Sequence, residues 1–225
     1  MQEVLCTIMN REDQDYMERH YHLSWGRDWV RSPRYGIPVL LPETGRPRCV
    51  VPFDKMNVDI PAGACLQFHL ADRRIDCIWT NTEKYVDRIS KFDFVTCPDF
   101  SLLLEMGRAE ILWNVQRSFK LGRYFQSLGM HVFSTAMWAY PDTYDICFEP
   151  VPRHSVSFVS TVGSNRKEES RKQFRLGLRA FCERTMPAGL ILYGPMPALD
   201  FDIPVLCHFD RVSSAQFGAY QPDLI

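Results

Sequence analysis

A chain of 225 residues is long enough for one sizeable core, and its 46% hydrophobic and 24% charged composition leaves no room for a long disordered tail. Its 26 basic and 27 acidic residues almost cancel, so duplex nucleic acid would have to be held by a local patch rather than by overall charge. The sequence has neither an apolar run of about 18 residues nor a basic-then-apolar leader, which argues against a spanning helix and for a reducing, cytoplasmic setting.

The chain changes style along its length. Residues 1–60 are rich in Arg, Pro and aromatic side chains with weak periodicity, and read as an irregular amino-terminal region packed on a core formed by residues 61–225. A short helix is expected over roughly 10–22, followed by irregular chain punctuated by Pro33, Pro38, Pro42 and Pro47. From about 64 strands and helices alternate. "ACLQFHL" is the first clear strand, and after the turn "ADRRID" the run "CIWT" reads as a hairpin partner. "TEKYVDRIS" reads as a helix capped by Asn81 or Thr82, and "FDFVTCPDFS" as a short strand ended by proline. "AEILWNVQRSFKLGRYFQSLG" places Leu112, Val115 and Phe119 at helical spacing and ends on Gly129, where a helix C′ glycine belongs.

"MHVFSTAMW" and "HSVSFVSTVG" are the next strands. The following helix is expected to be capped by Ser164 or Asn165 and to bury Phe174, Leu178 and Phe181, its charged residues forming a solvated face. "GLILYGP" and "IPVLCHF" close the series. This alternation predicts an α/β fold with a mostly parallel sheet of six or seven strands, barrel-like or an incomplete (β/α) barrel, because no glycine-rich dinucleotide or phosphate turn is present. Eight cysteines without a C-x-x-C pair, with Cys97, Cys147 and Cys207 inside apolar runs, read as free buried thiols.

In a parallel α/β sheet, ligands bind where the carboxyl ends of the strands and the helix amino termini converge. "CPDFS", "STAMW", "STVGSN", "YGP" and "HFD" are such ends, and they collect Asp99, Ser101, Trp138, Ser160, Thr161, Tyr193, His208 and Asp210 on one rim. Asp99 is the candidate general base, with helix capping as its structural alternative. Trp138 and Tyr193 could stack on a base or sugar, or simply pack. Asn114 and Arg117, three apart on one helix face, could hold a carboxylate or phosphate, or form a structural ion pair. "HYH" at 20–22 and "HLAD" at 69–72 have metal-like spacing without a second cluster, so no metal is assigned. No nucleophile elbow occurs, and no cofactor is indicated.

Taken together, "VPFD", "CPDFS", "LWNVQRS", "LGRYFQSLG", "AMW", "VSTVG" and "LYGP" resemble, over roughly 50–200, the family of domain of unknown function 4417, found in phages, plasmids and mobile elements. The resemblance implies a mobile-element origin inside a host cell and nominates Asp54, Asp99, Ser101, Asn114, Arg117, Trp138, Thr161, Gly163, Tyr193 and Gly194 as motif positions. It implies no mechanism. Two functions remain open. One is binding or chemistry on a phosphorylated small molecule, nucleotide or single-stranded nucleic acid at the rim. The other is a non-catalytic role in which "YHLSWGRDWVRSPRY", with its Trp, Tyr and Arg content, docks on a host protein.

Overall fold

The computed structural model describes residues 10–163 and 168–210, together with the backbone of 218–219. Seven strands run parallel in the order of the sequence: β1 (Cys49–Pro52), β2 (Ala64–Gln67), β3 (Phe94–Thr96), β4 (Val132–Thr135), β5 (Val156–Ser160), β6 (Gly189–Tyr193) and β7 (Val205–Phe209). A two-residue strand, β8 (Gly218–Ala219), pairs antiparallel to the free edge of β1. The sheet curls into a nearly closed barrel, as the alternation predicts. His69, just beyond β2, stacks on Phe158 of β5 with ring centroids 5.0 Å apart, although two strands lie between β2 and β5 in the sheet.

The two faces of each strand explain the curl. Val50, Cys65, Phe133, Phe158, Ile191, Tyr193, Cys207 and Phe209 form one buried cluster drawn from six strands, which is the barrel interior. The alternate positions face outward. Cys49, Val51, Leu66, Val95 and Val132 pack under one group of helices, and Val159, Leu190 and Leu192 under another. The helices among the described residues are α1 (Arg11–Tyr21), α2 (Asp76–Thr80), α3 (Thr82–Ile89), α4 (Arg108–Ser127), α5 (Tyr144–Phe148) and α6 (Glu168–Thr185). α4 serves both clusters, burying Ile111, Val115 and Phe119 in one and Leu121 and Phe125 in the other. It stops at Leu128, and Gly129 follows with φ +85°, as a C′ glycine should. Gly122 lets α4 approach β3, since a Cβ there would lie 2.5 Å from Cys97 Sγ.

One predicted element is corrected. "CIWT" lies in α2 and not in a hairpin: the 3-10 turn Asp72–Arg74 leads directly into it, and Ile78 and Trp79 bury against the outer face. A four-residue apolar run has no periodicity to separate helix from strand, and here β2 finds its partner in β3 instead. The expected cap at Ser164 or Asn165 lies outside the described residues, while Phe174, Leu178 and Phe181 are buried on α6 as expected. The seven described cysteines are free; burial pushes the thiols of Cys147 and Cys207 up to about 12, so both stay protonated.

Residues preceding β1 wrap the barrel. The side chain of Asn10 accepts from the Asp13 amide at the start of α1, and α1 ends at His22, whose φ is 48°. Val156 N–H donates to the Glu43 carbonyl at 2.7 Å, and His131 Nδ1 meets Glu43 Oε2 at 2.7 Å, tying the wrap to the amino-terminal ends of β4 and β5. At the other end, His22 Nε2 meets the Trp79 carbonyl at 2.7 Å, Trp79 Nε1 donates to the His20 carbonyl at 2.9 Å, and Trp25 stacks between His22 and Tyr124 at 3.8 Å from each. Burial is the main cause holding the His22 imidazole below its ordinary pKa of 6.5, against the opposing hydrogen bond to Trp79. Because the folded value is the lower one, the unfolded chain takes up the proton first. The stability His22 contributes is complete above about 6.5 and is lost as the pH falls through that value toward the folded one. Denaturant unfolding followed from pH 7 to 5 should therefore show a falling midpoint. That fall should be shallower in His22→Asn, which tolerates the left-handed backbone; an unchanged slope would remove His22 from the titration.

Candidate functional site

The carboxyl ends of β2 to β5 surround a cavity of about 370 Å³. Its polar groups come from His69 after β2, Asp99 and Ser101 after β3, Ser160 at the end of β5, and Ser170 and Gln173 on α6. Leu102, Leu103, Leu104, Met137, Trp138 and Phe174 supply apolar wall. An apolar wall with a few convergent polar groups is the usual character of a small-molecule site.

The sequence places Asp99 as it does for local reasons. Thr96 is the last residue of β3, Pro98 cannot continue the ladder, and the chain turns inward at Asp99 to Ser101. Three side chains hold that turn from behind. Asp72 Oδ1 accepts from both the amide and the hydroxyl of Ser101, at 3.0 and 2.7 Å. Asn114 Nδ2 donates to the Ser101 carbonyl at 2.8 Å, and Arg117 donates to Asn114 Oδ1 at 2.7 Å and to Asp76 at 3.1 Å. The Arg117 guanidinium also lies 3.8 Å over the Phe100 ring. The Asn114–Arg117 pair is thus spent on the back of the turn, in the ion-pair arrangement, and neither residue lines the cavity.

On the cavity side, Asp99 Oδ2 accepts from His69 Nδ1 at 2.8 Å. A carboxylate only accepts, so this hydrogen bond carries its proton on Nδ1. The His69 side chain is 3% exposed and its Nε2 is buried without a hydrogen-bond partner among the described residues, whereas Asp99 keeps 30% exposure. Stacking on Phe158 fixes the ring plane. Two residues down β2, Gln67 is fully buried; its Oε1 accepts from the His69 amide at 2.5 Å and its Nε2 is left unpartnered. Two orphaned nitrogens so close in sequence are uncommon in a packed interior, where unmade hydrogen bonds cost about 1–3 kcal/mol each.

Of the sequence candidates, the fold brings Asp99, Ser101 and Trp138 together in the cavity, and Ser160 joins them. Asp54 is elsewhere on the rim, 2.8 Å from Arg74. Thr161 Oγ1 donates to the Pro195 carbonyl at 2.7 Å and ties the ends of β5 and β6 together. Tyr193 is 5% exposed, inside the barrel beside Phe158. Gly163 and Gly194 supply turns of positive φ, +89° and +109°. His208 points outward and meets the Gly194 carbonyl at 2.6 Å. Sequence reasoning missed Gln173, and it weighed His69 only as part of a metal-like spacing. "QFHL" is a strand end like the others, and that was the available signal.

Trp138 owes its position to Gly177 of α6, where a Cβ would lie 2.1 Å from the indole Nε1. Gly177→Ala should therefore push the indole from its seat against Phe174, Phe181 and Phe148. The expected cost is about 1–3 kcal/mol, less the small gain from alanine in a helix, read as a drop of several degrees in the unfolding temperature. An unchanged or raised unfolding temperature would show that the indole is not pinned there.

The chain was compared with known proteins. The family model described as Domain of unknown function (DUF4417) matches residues 30–210, so the likeness extends into the amino-terminal wrap and past 200, beyond the stretch of motifs at roughly 50–200. The chain is 37% identical over 177 residues to the "Gene 1 protein" of Mycobacterium phage L5, covering 77% of each. It is 34% identical over 177 residues to the "Gene 1 protein" of Mycobacterium phage D29, covering 75% of this chain and 64% of that one. No solved structure matches significantly.

Proposed function

The chain belongs to the DUF4417 family and is of phage type, and on that premise we propose that the cavity at the ends of β2 to β5 is a small-molecule site in which His69, held by Asp99, moves a proton. The observation that carries this reading is the His69–Asp99 pair. One ring nitrogen is engaged by a carboxylate at 2.8 Å, and the other is buried without a partner in a residue that lines a cavity.

The chemistry follows from the pair. With Nδ1–H donated to Asp99, Nε2 is the basic atom and is oriented by both the hydrogen bond and the stack on Phe158. When Nε2 takes a proton from a bound N–H or O–H, the new imidazolium faces a carboxylate already in contact. That is the arrangement that favours the charged form in acid–base catalysis. With the Ser101 hydroxyl donated to Asp72, Ser160 supplies the hydroxyl that would orient a ligand, and Trp138 with Phe174 offers apolar surface for its ring. A cavity of about 370 Å³ suits a nucleoside or nucleotide rather than a polymer segment of many residues.

The alternative, docking of residues 21–35 on a host protein, has weaker support. Trp25 stacks on His22 and Tyr124, and Trp29 lies under the Arg123 guanidinium at 5.3 Å, so these aromatic residues are engaged by the chain itself.

A thermal-shift screen of the full chain against nucleosides, nucleotides, sugars and sugar phosphates tests the proposal. A ligand at about 100 times its dissociation constant adds about 2.7 kcal/mol, or several degrees in a protein of this size. The shift should disappear in His69→Ala while that variant still unfolds cooperatively. A folded parent protein that responds to no ligand, or a shift unaffected by His69→Ala, would sink the reading.

A further inference from the structure

A second cavity, of about 250 Å³, lies in the helix layer between α5 and the last turn of α6, lined by Asp145, Phe148, Glu149, Val151, Arg153 and Arg184. The His154 amide donates to the Thr185 carbonyl at 3.2 Å, which holds the chain entering β5 against the end of α6 and sets both arginines on one opening. The carboxylates of the lining are already engaged. Tyr35 Oη donates to Asp145 Oδ2 at 2.5 Å and the Ile146 amide to its Oδ1 at 3.0 Å, while Arg34 and Arg108 approach at 3.6 and 4.0 Å. Burial works to raise the Asp145 carboxyl, but the Tyr35 hydroxyl, the Ile146 amide and Arg108 together hold it below its ordinary 3.8. Glu149 Oε2 accepts from the Arg34 amide at 3.4 Å. The cations of the lining have only neutral neighbours. Arg184 stands over the rings of Tyr144 and Phe148, 5.7 and 5.8 Å from their centroids, and Arg153 Nη2 reaches Met186 Sδ at 3.4 Å. Both residues are exposed, and among the described residues neither guanidinium meets a carboxylate.

We propose that this cavity is an anion site for a small phosphate monoester, clasped by Arg153 and Arg184 with its organic part against Phe148 and Val151. Ring and sulfur contacts leave most of the N–H donors of the two guanidiniums for a ligand. Each guanidinium is a planar fork that matches phosphate oxygens. Two forks on one opening suit a group carrying close to two negative charges better than a carboxylate carrying one. Glu149, half-buried on the same wall, opposes any anion, so its charge limits how tightly the site holds. The volume admits a phosphate with a ring-sized body. This cavity shares no lining residue with the one at the ends of β2 to β5, and the inference stands apart from the reading of that site.

Calorimetric titration of the full chain at low salt, with phenyl phosphate and benzoate as probes, tests the assignment. Phenyl phosphate should bind, and benzoate should bind about tenfold more weakly. Arg153→Gln and Arg184→Gln should each weaken phenyl phosphate by about tenfold, whereas Glu149→Gln, which removes the opposing charge, should tighten it. Arg184→Gln also loses the contact with two rings. If that variant fails to fold, Arg153→Gln, an exposed side chain resting on Met186, decides in its place. His69→Ala should bind phenyl phosphate as the parent does, which keeps this site distinct from the other cavity. The proposal is overturned by a folded parent that binds no phenyl phosphate, by benzoate held as tightly, by parent-like affinity in Arg153→Gln, by no gain in Glu149→Gln, or by loss of binding in His69→Ala.

Discussion

A parallel pair of strands cannot be joined by a tight turn, and the architecture of this protein follows from repeating that constraint six times in sequence order. Each connection must return over the outside of the sheet, so the helices coat one face and the other face has only its own side chains to bury against. The sheet meets that requirement by curling until Cys65, Phe133, Phe158, Ile191 and Cys207 share one interior. All seven carboxyl ends then open on the same rim. The rim loops are therefore the part of the molecule where residues distant in sequence, such as His69, Asp99 and Gln173, come within reach of one cavity.

The residues before β1 answer a different need. Without hydrogen bonding between β1 and β7 among the described residues, the barrel is held from outside as well as by its sheet. Glu43 fastens the wrap near β4 and β5, and the His22, Trp25 and Trp79 cluster fastens it over α2 to α4. Lys120 belongs to this anchorage. Its ammonium donates to the Tyr21 carbonyl at 2.7 Å, and burial draws its pKa down to about 8, a clear departure from the solvated lysine that helix periodicity alone would suggest.

Behind the cavity, the order of support is also legible. Asp72, Asn114 and Arg117 fix Ser101, Ser101 lies two residues beyond Asp99, and Asp99 fixes the tautomer of His69. Of the motif positions, Asp99, Ser101 and Trp138 line the cavity, and Asn114 and Arg117 hold the 99–101 turn from behind. Their i, i+3 spacing gives the shared helix face, but only the packing of α4 against the 99–101 turn decides that this face points at the protein and not at a ligand.

Local chemistry was enough to determine the parallel α/β alternation, the strand ending at Pro98, the α4 helix with its terminal glycine and the nomination of Asp99, Ser101 and Trp138. Each is set by neighbours within a few residues. The helical state of "CIWT", the burial of Lys120, the inward engagement of Trp25 and the partnership of His69 with Asp99 were decided by the tertiary structure. A four-residue apolar run has no period to read, and a histidine meets a carboxylate 30 residues away only when the sheet brings the ends of neighbouring strands together.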